Sequence, residues 1–315
     1  MAEPEQKLDA TFFAFRKRDR KYVLTRAALG YCILYLILVA IYLALSWQSI
    51  GAFMGWYGAA LQEAMQGGEM PAPPVEIIGM IPYAVLIGLL SLVLFAAFEA
   101  ACLRWLVRGE SGGGVLGLTA GGDTWRVFAV YFVWLGLFIG FGIAIVVFYA
   151  AMQAVSSMGG PATVIAMMLG ALAPLAFLAL LIFAAVRLAP AAAVSIARRR
   201  FAAFEAPQVT RGRFWPLLGA FVILWIGYMV IVMIVGGIIQ LPAQEVMAPV
   251  MAEIMAGRGD AGPAMLEAMS SPVYLVSMGA YMLFSTIASI VLYIAMFGVN
   301  ARAVLAADEA TAAPG

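Results

Sequence analysis

The chain has 315 residues, 65% of them apolar and only 11% charged, with a net charge of +1. An ordinary soluble domain carries about 45–50% apolar and about 25% charged residues, and a single core of this size cannot bury the excess. So small a net charge gives no field for nucleic acid, and the lack of histidine removes the commonest metal ligand and the one side chain that titrates near neutrality.

Residues 1–24 read as a basic cytoplasmic segment, followed by an apolar run from Ala27 to Leu45. A secretory signal has an apolar stretch of about 7–15 residues, so this longer run reads as a retained anchor. Scanning for stretches of about 20 apolar residues gives six spans, at about 25–47, 77–104, 126–154, 162–189, 214–241 and 273–302. Lipid offers the backbone no hydrogen bonds, so each span must be a helix. The expected fold is an all-α polytopic transmembrane helical bundle, six spans as three hairpins, ending in a disordered cytoplasmic tail at 304–315. Pro82 and Pro174 fall inside spans, where they should bend the helix. Cys32 and Cys102 lie in apolar runs without metal-binding spacing and read as buried thiols. No cofactor or metal is expected.

The first outer loop continues an amphipathic pattern through Trp47, Ile50, Phe53, Met54, Tyr57, Leu61 and Met65, and Val246, Met247, Val250, Met251, Ile254 and Met255 repeat it in the third. Helices are expected there, either packed on the bundle, lying in the outer interface or presenting a Met-rich face to a partner. Residues 61–68 also resemble 251–258, which suggests a parallel repeat of hairpins. On the other side Phe98-Glu99-Ala100 is echoed by Phe204-Glu205-Ala206, and Thr119 to Trp125 by Thr210 to Trp215.

Glu99 is the only carboxylate inside a span. It is expected to form an intramembrane ion pair with Arg104 or Arg187, with ion coupling as the functional alternative. Gly112, Gly114 and Gly117 satisfy a glycine-rich phosphate pattern out of its strand-to-helix context, and read as a loop. Gly136 and Gly140 should allow close helix packing, while Ser285, Thr286 and Ser289 should bond back to their own helix. Arg198, Arg199, Arg200, Arg211 and Arg213, with Trp215, form the densest basic-aromatic cluster, a candidate contact for lipid headgroups or a partner.

Lys and Arg collect in loops on the cytoplasmic side. With six spans, 17 of the 18 basic residues fall on one side, leaving only Arg258 on the other. This distribution places both termini in the cytoplasm.

At Arg187-Leu188-Ala189-Pro190, and from Thr210-Arg211-Gly212-Arg213-Phe214-Trp215 through Gly219, the chain resembles uncharacterised bacterial multi-pass inner-membrane proteins. These are similar in turn to the membrane domain of some glycerophosphodiester phosphodiesterases. The resemblance covers residues 185–240 and implies a multi-pass domain of the bacterial inner membrane. It transfers no activity, since the catalytic barrel of such enzymes needs some 250 residues more.

The expected function is a non-catalytic accessory or scaffold in envelope or lipid homeostasis. Its expected partners are membrane lipids and a membrane protein or second copy, not nucleic acid. The alternatives are a transporter or channel component using Glu99, and a lipid-modifying enzyme using Asp123, Glu110 and Glu205, which no spacing unites.

Overall fold

The structure is a computed structural model that describes residues 5–16, 22–66, 68–69, 71–256 and 261–312. Among these residues there are ten α-helices and no strand. They are α1 (Glu5–Arg16), α2 (Tyr22–Gln66), α3 (Glu76–Leu103), α4 (Gly122–Ser156), α5 (Pro161–Leu188), α6 (Ala191–Ala197), α7 (Ala206–Val209), α8 (Phe214–Met255), α9 (Ala261–Ser270) and α10 (Pro272–Ala312).

Among the described residues six stretches are long and apolar enough to cross a membrane: α2, α3 with the turn that extends it, α4, α5 with α6, α8 and α10. Their large apolar side chains point outward, with Val146 68%, Met233 73% and Val276 72% exposed. Water would make such surfaces an aggregation hazard, whereas hydrocarbon is the solvent they fit. The chain is an all-α integral membrane protein.

Three elements depart from the sequence reading. The tail is not disordered from residue 304, because α10 runs on to Ala312 with Val304 fully buried. Arg302 pairs with Glu309 seven residues on, fastening the last turns. The amphipathic outer stretches continue α2 and α8 without a break, which gives helices of 45 and 42 residues. The basic N-terminal segment contains α1, whose Thr11 and Ala14 are buried. Residues 67, 257 and 258 of the outer hairpin echo lie outside the described residues.

The chain divides into two compact units, one of residues 1–27, 96–222 and 294–315, the other of 28–95 and 223–293. In the second unit Phe95 packs edge-on against Tyr31 at 5.8 Å and Tyr293 at 4.8 Å. The methionine face at the end of α8 closes on α9, where Ile254 and Met265 are buried with Met247, Val250 and Met251 around them. Ser285 bonds to the Met282 carbonyl at 3.1 Å, while Ser289 is paired with the Tyr228 hydroxyl at 3.0 Å. One hydroxyl of the polar patch thus bonds within its helix, and another crosses to α8.

In the first unit α4 and α5 form a hairpin. Pro174 has no N–H, so the Gly170 carbonyl four residues earlier loses its helical donor. Tyr149 on α4 donates its hydroxyl to that carbonyl at 3.2 Å, which meets the requirement that backbone groups in lipid be satisfied. Beside it lies a groove of about 390 Å³ lined by Phe141, Ile145, Tyr149, Pro174, Phe177, Leu178 and Leu181. The close helix approach expected at Gly136 and Gly140 is not seen among the described residues, since a Cβ at either would touch nothing within 4 Å. Helix α6 is the opposite case, with Ala193, Val194, Ser195 and Ile196 fully buried. Ser195 donates to the Ala191 carbonyl at 2.8 Å and accepts from the Ala202 amide at 3.1 Å.

Candidate functional site

Within the first unit, the four basic stretches of the chain are tied to one another. A Cβ on Gly298 would stand 2.8 Å from Ala14 Cβ, so α1 lies directly on α10. Arg26 reaches the Gly114 carbonyl at 3.5 Å. Arg199 meets Glu110 at 2.6 Å, and Arg198 grips both oxygens of Asp308 at 2.6 and 3.3 Å. Arg213 donates to the Ala303 and Ala306 carbonyls at 3.4 and 3.0 Å, near the end of α10. Helix α1 and the stretches 22–26, 104–126, 187–213 and 298–309 therefore occupy one region, as an even number of crossings between them requires.

At its centre is Asp123, in the first turn of α4 and 9% exposed. Arg108 donates to it at 2.6 Å, Arg126 pairs with it from one turn along α4, and Arg104 stands 4.0 Å away. Arg108 also meets Glu110 at 2.8 Å and the Ile196 carbonyl of α6 at 3.1 Å. Both Arg104 and Arg108 belong to a π-helical turn, Arg104–Arg108, that ends α3 and stops at Gly109 in the left-handed conformation (φ 69°). Such turns widen the helix and recur at functional positions. The sequence reading missed this centre, although Arg104 and Arg108 at four-residue spacing and Asp123 and Arg126 at three-residue spacing signal it.

The expected ion pair of Glu99 with Arg104 or Arg187 does not form. Residues five apart on a helix point about 140° away from each other, and Arg104 turns to Thr119 Oγ1 at 2.9 Å. Arg187 turns to Thr210 Oγ1 at 3.3 Å and lies over the Phe183 ring. Glu99 is buried and accepts a hydrogen bond from the Tyr131 hydroxyl at 2.7 Å.

The basic-aromatic cluster splits. Arg198, Arg199 and Arg200 are matched to Asp308, Glu110 and Glu205. The bond to Asp308 pushes the Arg198 guanidinium further above its ordinary value. Arg213 is spent on carbonyls of α10. Arg211 is exposed and its guanidinium donates no hydrogen bond among the described residues, and near it in sequence Trp215 is 75% and Phe204 72% exposed. Arg108 brings Asp123 and Glu110 together, while Glu205 stays apart on Arg200. No group of three metal-ligating side chains occurs among the described residues.

Comparisons with protein-family models, curated proteins and solved structures find no match to this chain. The class is therefore the one the fold defines: an integral membrane protein with six apolar helices long enough to cross a bilayer, carrying a buried arginine–aspartate centre.

Proposed function

We propose that this chain is a multi-pass protein of the bacterial inner membrane with both termini cytoplasmic. It acts without a catalytic site of its own, as an accessory or scaffold in envelope or lipid homeostasis. The observation that carries this reading is how the ionisable groups are used. Asp123, Glu110, Glu205 and Asp308 each hold arginines in place, an arrangement that fixes elements together. What remains outward is cationic and aromatic, namely Arg211 with Trp215 and Phe204. This pairing suits the headgroup layer of an anionic leaflet. The resemblance of residues 185–240 to a membrane domain attached to lipid-diester hydrolases points the same way. A membrane protein or a second copy is the partner proposed for the exposed span faces.

Native mass spectrometry of the detergent-extracted protein tests the lipid contact. Anionic phospholipid should be retained over phosphatidylcholine, and Arg211→Gln combined with Trp215→Ala should reduce that retention several-fold. Retention without charge preference, or unchanged in the double variant, removes the headgroup contact.

A further inference from the structure

The guanidinium of Arg104 is only half used. Arg104 is 9% exposed. Its Nη1 donates to Thr119 and is the atom nearest Asp123. The other edge, Nε and Nη2, is buried and donates no hydrogen bond among the described residues. That edge carries two parallel N–H groups, the fork that grips two oxygens of a phosphate at once. Arg108 Nε is also buried without an acceptor.

Charge points the same way. Arg104, Arg108 and Arg126 surround a single buried carboxylate, Asp123, and Glu110 is shared between Arg108 and Arg199. Four guanidiniums thus face two carboxylates, an excess that a doubly charged anion would match. A buried charge without its counter-charge is strongly destabilising.

The loop after α3 passes over the free edge. A Cβ on Gly112 would stand 2.7 Å from Arg104 Nη2 and 3.1 Å from the Gly117 carbonyl oxygen, so glycine lets the backbone lie against the guanidinium where a methyl would displace it. The N–H groups of residues 110–114 donate no hydrogen bond among the described residues. Gly109 (φ 69°) and Gly114 (φ 97°) bracket the stretch in conformations that glycine adopts freely. Runs of free N–H groups in such turns cradle anions. The cover is thin, since Ser111, Gly113 and Gly114 are exposed.

We propose that the free edge of Arg104 and the glycine-rich loop over it form a binding site for a phosphate-type dianion, a free phosphate or the phosphomonoester of a lipid headgroup. The site is separate from the Arg211–Trp215 surface and does not depend on the scaffold reading.

The test uses the full chain in phosphatidylcholine nanodiscs, with inorganic phosphate titrated against chloride at matched ionic strength and thermal unfolding followed. A soluble ligand predicts a midpoint that rises with phosphate. A headgroup ligand predicts no response to phosphate but a rise when phosphatidic acid is built into the disc. In either arm Gly112→Ala, whose methyl would press chiefly on the movable Arg104 guanidinium, should weaken binding about tenfold or more. Arg104→Lys should weaken it similarly by removing the fork while keeping the charge, and Arg211→Gln should leave it unchanged. The site is refuted if neither anion raises the midpoint, or if the rise is the same in Gly112→Ala and Arg104→Lys as in the parent.

Discussion

At Asp123 one carboxylate faces three guanidiniums, and its burial makes each of those contacts matter. Removing one partner from a buried charge group strands the others, at a cost of about 3–5 kcal/mol. Exposed pairs are screened and contribute about 0–1 kcal/mol. The Arg198–Asp308 pair is of the second kind, with side chains 39% and 40% exposed. Asp123→Asn should therefore lower the denaturation midpoint far more than Arg198→Ala in the same detergent. Equal losses, or the reverse order, would mean that Asp123 does not organise this region.

Among the elements, the close approaches are made at glycine. Gly298 lets α1 lie on α10, with Ala14 N only 2.9 Å from where a Cβ would be. Gly298→Val should displace α1 and leave α10 helical, so limited proteolysis should cut within residues 5–16 faster while the rest of the chain stays resistant. Unchanged cutting would show that α1 is not held there. The α3–α4 and α5–α8 junctions share a device. In each, an arginine closing one span donates to a threonine ahead of the next, Arg104 to Thr119 and Arg187 to Thr210. This gives the Thr119/Thr210 echo in the sequence a structural meaning. The Phe98/Phe204 echo has none, since Phe98 is fully buried and Phe204 is 72% exposed. Apolar run length made the spans legible, because a bilayer demands it. The extension of α2 and α8 beyond any bilayer thickness was not, since amphipathic periodicity does not say where one helix stops. The Asp123 centre depends on which side chains meet across loops of ten or more residues, and local spacing shows only its halves.

For the whole molecule, the basic residues and the helices give one picture. Contacts join the N-terminal stretch, the loop after α3, segment 198–213 and the end of α10. The topology proposed from charge bias puts that region in the cytoplasm. The Ser157–Gly160 turn between α4 and α5, with Met158 79% exposed, then faces the opposite compartment. Single cysteines at positions 113, 158 and 200, in a background with Cys32 and Cys102 replaced, test this in intact cells with a thiol reagent that cannot cross the bilayer. The account predicts labelling at 158 alone, with 113 and 200 reacting only after the membrane is opened. Labelling of 113 or 200 from outside, or of all three alike, would contradict it.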